Sequence, residues 1–256
     1  MDDAVQIEHR GEVTVITLNR PERRNAVDAE TGMKLRQAFE AFEADIGSKV
    51  AVLTGAAGMF CAGADLKALS GSASRYEGDG PGPMGPTRML LSKPVIAAIE
   101  GHAVAGGLEL ALWADLRVAA QGAVFGVFCR RWGVPLVDGG TVRLPRLIGH
   151  SRALDLILTG RPVDADEALA IGLANRVVPD GEALEEAVAL AQEISRFPQD
   201  CLRIDRASSY GQWGETLETA LLQEGVAADQ TIIAAAQAGA LRFAQGRGRG
   251  GDFGDI

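Results

Sequence analysis

The run Val13-Thr14-Val15-Ile16-Thr17-Leu18 alternates and is rich in β-branched residues, which predicts a strand, and Asn19-Arg20-Pro21 ends it. Asp28 can cap a helix reaching about Asp45, with Met33, Leu35, Ala38, Phe39 and Phe42 as its apolar side. Val50–Thr54 and Pro94–Ile99 are short apolar runs of the kind a buried strand needs. Each is followed by a glycine-rich loop and then a helix, one starting near Asp65 and the other running from Gly107 to about Trp113. Leu116–Ala119 and Ala123–Phe125 predict further short strands, and 140–148, 151–159 and 165–171 predict short helices. From Glu182 onward the pattern is helical alone, over 182–195 and roughly 213–245. Residues 70–88, rich in Gly, Ser and Pro, read as a mobile loop too polar to pack. The switch from strand–helix alternation to helices predicts an α/β core over 1–180 and a C-terminal helical region over 181–256.

Composition narrows the class. The 256 residues are 47% hydrophobic and 23% charged, enough to bury a sizeable core. No stretch approaches the ~20 apolar residues of a membrane span. The N-terminus is acidic where a signal peptide is basic, so a cytoplasmic location is expected. A formal charge of −9 argues against nucleic acid as a partner. Cys61, Cys129 and Cys201 form no CxxC pair, and His9, His102 and His150 have no metal spacing, so neither a disulfide framework nor a metal site is expected.

The two strand–glycine loop–helix units, at 50–66 and 94–113, are where chemistry is expected. Backbone N–H groups at a helix start lack intrahelical partners and lie in positive potential. Two of them converging from different loops would stabilise charge developing on a carbonyl oxygen. The same pattern also serves as an ordinary joint in α/β folds. GxxxxGK[ST], a dinucleotide GxGxxG after the first strand and GxSxG are all absent, which excludes the commonest phosphate-loop, dinucleotide and serine-hydrolase signatures.

Four strings, AVLTGAAGMFCAGADLKAL, KPVIAAIEGHAVAGGLELALWADLRVA, FGVFCRRWGVPLVDGGTVRLPRLIG and LTGRPVDADEALAIGLANRVV, occur in an order that resembles the crotonase superfamily, also called the enoyl-CoA hydratase/isomerase family. The resemblance runs from about Val13 to Val178, with an echo in LRFAQGRGRGGDF. It implies a spiral of ββα units followed by helices, assembly as a homotrimer or a hexamer through a C-terminal region that also completes part of the acyl-CoA site, acyl-CoA thioester substrates, and no cofactor or metal. It places the oxyanion-hole N–H groups on Ala64 and Gly106. It lays Ala62, Asp65, Leu66 and Lys67 along the CoA moiety, flanked by Arg23 and Arg24; a solvated basic turn accounts for the arginines equally well.

Glu109 lies two residues after Gly106-Gly107, and the resemblance puts one of the two hydratase glutamates there. A capping-box role would want Ser or Thr three positions earlier, where Gly106 stands. The second glutamate of the pattern falls on Cys129, a thiol in place of a water-holding carboxylate. Asp138, directly before Gly139-Gly140-Thr141, is the replacement acid/base; its plain reading is the N-cap of the following helix. Arg130 and Arg131 are placed to pair with Asp138 or Glu109, or to be solvated. The expected activity is enoyl-CoA hydration. The alternatives are an enoyl- or dienoyl-CoA isomerase using Glu109 and Asp138, or a crotonase-fold protein that binds acyl-CoA without turnover.

Overall fold

In the computed structural model, residues 3–71, 77–231 and 235–248 are described. The chain forms two compact units, Met1–Ala191 and Gln192–Ile256. The first is a layered α/β unit. Strands β1 (Val5–Arg10), β2 (Val13–Leu18), β3 (Val50–Gly55), β4 (Val95–Ile99), β6 (Leu116–Ala120) and β9 (Arg176–Val178) make a six-stranded sheet in the order β1-β2-β3-β4-β6-β9. Only the β1–β2 pair is antiparallel; the rest is parallel, with Val13 opposite Val50 and Ala51 opposite Val95. A second sheet, β5 (His102–Val104), β7 (Val124–Gly126) and β8 (Val163–Asp164), holds the loops that follow β4.

Both β3 and β4 are apolar along nearly their whole length because both faces are covered. Helix α1 (Ala29–Ala44) is capped by Asp28, whose Oδ1 accepts the Thr31 N–H at 2.9 Å. It buries Leu35, Ala38, Phe39 and Phe42, and Phe39 meets Trp113 edge to face at 4.7 Å. Met33, expected on that side, is exposed. It lies two positions from Leu35, which on an α-helix is roughly the opposite face. The remaining helices of this unit are α2 (Leu66–Gly71), α3 (Gly106–Trp113), α4 (Gly140–Ile148), α5 (His150–Thr159), α6 (Ala165–Ala170) and most of α7 (Ala183–Ser195).

The expected loop over 70–88 divides. Residues 70–71 close α2, and 72–76 lie outside the described residues. Contrary to expectation, the stretch from Gly82 to Thr87 packs: Met84, Pro86 and Thr87 are buried, and Pro86–Arg88 forms a 3-10 turn. Its polar groups are satisfied by Asp138 and its methionine supplies apolar surface, which composition alone does not reveal. The second unit contains α8 (Gln199–Gly211), α9 (Leu217–Thr231) and α10 (Gln237–Ala244). Helix α8 falls in the gap between the two expected C-terminal helices, and neither α8 nor α10 buries any residue.

Candidate active site

The site is built where the two glycine loops zip together. Asn25, buried and at φ 53°, fastens the first loop: its Nδ2 donates to Ala56 O (3.0 Å) and Met59 O (2.6 Å), and its Oδ1 accepts the Arg20 N–H (2.9 Å). Cys61 N then donates to His102 O (2.9 Å) and Val104 N to Cys61 O (3.1 Å), so the loops run as parallel neighbours. Gly63, at φ 94°, closes the approach; a Cβ there would stand 2.9 Å from both Ala105 Cβ and Gly106 N. A substituted residue fits neither the backbone angle nor the gap.

This pairing orients two N–H groups. The parallel bridge of Ala64 with Val27 is made by Gly63 O and Asp65 N, which leaves the Ala64 N–H outside it. Gly106 is the first residue of α3, so its N–H has no acceptor within the helix. The residue before it, Ala105, carries φ 54° and offers no side-chain cap. Ala64 and Gly106 both line one cavity of about 390 Å³ in the first unit, together with Ala62, Leu66, Met84, Glu109, Phe128, Cys129 and Asp138.

Two carboxylates are buried in that cavity wall. Glu109, 3% exposed, accepts the Asp138 N–H (2.8 Å) and the Gly140 N–H (2.9 Å), both on Oε1. The glutamate therefore caps α4 across space, not its own helix. Burial pushes its carboxyl up to about 7; the Gly140 N–H opposes this, and the negative charge of Asp138 adds to it. Asp138, 2% exposed, is not the N-cap of α4, which is Gly139 in the left-handed region. Its Oδ1 instead accepts the Met84 N–H (3.0 Å) and the Thr87 hydroxyl. Burial raises the Asp138 carboxyl as well, against the pull of the Thr87 hydroxyl, the Met84 N–H, Arg88 and Arg143.

Cys129 lies in the 3-10 turn Phe128–Trp132 on the same wall. Burial, then the negative charge of Glu109, raise its thiol, so it stays protonated near neutral pH. Arg130 and Arg131 pair with neither carboxylate. Arg130 Nε donates to Ile157 O (3.0 Å), and Arg131 stacks 4.2 Å over the Phe128 ring. The cations that bear on Asp138 are Arg88 and Arg143, which the sequence did not single out.

Among the other expected residues, Ala62 and Leu66 line the cavity, and Arg23, Arg24 and Lys67 are exposed outside its wall. Asp65 is buried: it caps α2 through Lys67 N (3.1 Å) and Ala68 N (3.3 Å) and pairs with Arg20 at 3.3 Å. The basic turn is nevertheless tied to this segment, since Ala62 N donates to Arg24 O (3.1 Å) and Asp65 N to Val27 O (2.8 Å). Met84, Phe128, Trp132 and Val134 of the wall escaped the sequence reading, as did Thr87, which donates to Asp138; only an aromatic and Gly/Pro enrichment marked their segments. Among the described residues no helix is long and apolar enough to cross a membrane, and no three His, Cys, Asp or Glu side chains gather as a metal site.

Two orientable N–H donors and two buried carboxylates around an apolar cavity suit a carbonyl compound whose reaction builds charge on oxygen. Comparison with known proteins agrees. The profile of the enoyl-CoA hydratase/isomerase family matches residues 8–248. Enoyl-CoA hydratase EchA19 of Mycobacterium tuberculosis is 42% identical over 198 residues, 74% of this chain and 73% of that one. A carnitinyl-CoA dehydratase of Salmonella typhi is 40% identical over 197 residues, 76% of this chain and 75% of its own. The crystal structure of enoyl-CoA hydratase EchA1 from Mycobacterium marinum superposes with a TM-score of 0.89 at 38% identity, over 95% of this chain and 96% of that one. The chain belongs to the enoyl-CoA hydratase/isomerase family, and its α/β architecture is the crotonase fold.

Proposed function

We propose that this chain is an enoyl-CoA hydratase, adding water syn across the C2–C3 double bond of a 2-enoyl-CoA thioester. The observation that carries the reading is the facing of Glu109 and Asp138 in one cavity whose wall includes Ala64 and Gly106. Burial raises both carboxyls, that of Glu109 to about 7, so the site holds a proton near neutral pH. Glu109 as carboxylate takes a proton from water, and the water oxygen bonds to C3. The π electrons move to the thioester oxygen, where the Ala64 and Gly106 N–H groups stabilise the enolate more than the ground-state carbonyl. Asp138 then gives its proton to C2, and the proton on Glu109 returns to the pair through solvent. Cys129 fills space beside Glu109 and takes no proton in this scheme.

The CoA moiety runs along Ala62–Lys67, with Arg23, Arg24 and Lys67 against its phosphates; the hydrogen bonds joining residues 24–27 to 62–65 support this placement. We assign the helical region 181–256 to assembly as a homotrimer or hexamer, supported by exposed Leu217, Leu221, Leu222 and Val226 on α9. The place of action is the cytoplasm. No resident cofactor or metal enters the scheme. A panel of 2-enoyl-, dienoyl- and hydroxyacyl-CoA thioesters followed by mass spectrometry tests the reading. A product one water heavier from a 2-enoyl-CoA is expected. A mass-neutral product would make the chain an isomerase, and tight binding without turnover on the whole panel would make it a binding protein.

A further inference from the structure

Asp138 is held by groups remote in sequence whose arrangement a simple loop anchor does not require. Its Oδ1 accepts the Met84 N–H at 3.0 Å and the Thr87 hydroxyl, both fully buried. Arg143 on α4 grips the main chain of both partners, with Nη1 donating to Asp138 O (3.0 Å) and Nη2 to Thr87 O (2.7 Å). Arg88 Nη2 donates to Val137 O at 3.1 Å, one residue before Asp138. Space at this point is reserved: a Cβ on Gly82 would lie 2.5 Å from Asp138 Oδ1 and closer still to Thr87 Oγ1. Glu109 is joined to the same assembly from the other side, through the Asp138 N–H.

We infer that Thr87 is a positioning residue: with the Met84 N–H, its hydroxyl fixes Asp138 Oδ1 so that the other carboxylate oxygen is presented to the cavity, and Arg143 locks the two segments in register. This rests on the reading of Asp138 as an acid/base group. A carboxylate accepting two donors on one oxygen loses rotational freedom about its last torsion, and the remaining oxygen keeps one direction for proton transfer. Groups facing Asp138 from the packed elements are Glu109 on α3, Arg88 and Thr87 in the 3-10 turn and Arg143 on α4. The hydroxyl donates to the charged form, so removing it shifts the Asp138 titration to higher pH.

The test compares Thr87→Val, which keeps the shape, with Thr87→Ser, which keeps the hydroxyl. Thr87→Val should lower kcat by about ten-fold or more while KM for a 2-enoyl-CoA stays within about two-fold. It should also move the limb of the pH–rate profile that Asp138→Asn abolishes to higher pH. Thr87→Ser should recover most of the rate. In an Asp138→Asn background, Thr87→Val should cost little more, because its effect passes through Asp138. A Thr87→Val protein with lower Tm, raised KM and an unmoved pH profile would show that the hydroxyl only fastens the loop, and would overturn the inference. If Thr87→Val does not fold, Thr87→Ser against Thr87→Ala carries the same comparison, equal kcat overturning it. Asp138→Asn with wild-type kcat would instead remove the underlying acid/base reading, an outcome separable from failure of Thr87 alone.

Discussion

From β3 the chain enters α2 through one glycine loop, and from β4 it enters α3 through β5 and another. The two helices these loops deliver differ sharply. Every residue of α3 is buried, whereas Leu66, Lys67, Ala68 and Leu69 of α2 are exposed. The start of α2 is capped by Asp65, itself tied to Arg20; α3 starts from Ala105 at φ 54° with no side-chain cap. Strain at such a residue costs ~1–3 kcal/mol and a missing cap about 1 kcal/mol. Burying Leu108, Leu110 and Leu112 contributes ~1.5–3 kcal/mol each, so packing outweighs both costs. The difference teaches a division of labour. The helix fixed by its packing carries the buried carboxylate of Glu109, and the helix stabilised by its own cap keeps its outer face exposed.

The sharpest break in that comparison is Glu109→Gln. The amide keeps an Oε1 acceptor for the Asp138 and Gly140 N–H groups and carries no buried charge, so Tm should not fall. Turnover of a 2-enoyl-CoA should fall by roughly 10²-fold or more, the scale of a lost acid/base group. Near wild-type kcat would take Glu109 out of the chemistry.

Gly63→Ala attacks the joint between the loops. With φ 94° and contacts of 2.9 Å awaiting a Cβ, the loops must separate. Stability should fall by ~1–3 kcal/mol in denaturant titration, and kcat should drop because Ala64 and Gly106 lose their spacing. A change confined to KM would mean that the loops serve binding alone.

The burial of Glu109 also predicts a pH dependence of stability. Its folded carboxyl is raised from 4.5 to about 7, so the folded state binds the proton more tightly than the unfolded one. The stability this contributes is complete below pH 4.5 and is lost as pH rises through about 7. Relative to Glu109→Gln, the wild-type protein should therefore lose stability across that window in parallel urea titrations. Parallel curves would show that Glu109 is not raised.

Much of this was legible in the chain because it is local. The apolar runs of β3 and β4, the glycine loops, the Asp28 cap and the place of Glu109 after Gly106-Gly107 are all decided within a few residues. The surroundings of Asp138 were not, because the donors to its carboxylate are Met84 and Thr87, which lie more than fifty residues earlier. Strand β1 is exposed on most positions and so lacks an apolar alternation, and β5 and β8 are too short to show a period. For Arg130 and Arg131 the solvated alternative holds, and the sequence could not choose it, because adjacency to Cys129 says nothing of which side of a 3-10 turn faces the cavity.

The smallest expected effect belongs to the open helix. Lys67, in the first turn of α2, stands outside the cavity wall on the segment that Arg24 and Val27 hold in place. If that face receives the phosphates of CoA, Lys67→Ala should raise KM for a CoA thioester by about two- to five-fold, since an exposed ion pair contributes at most ~1 kcal/mol. The kcat should be unchanged, because α3 and its carboxylate are untouched. The effect should shrink with added salt as screening grows. It should vanish for the matching pantetheine thioester, which lacks the nucleotide phosphates. A loss of kcat in Lys67→Ala, or an equal rise in KM for the pantetheine substrate, would show that α2 shapes the reacting end after all and that the two helices share one task.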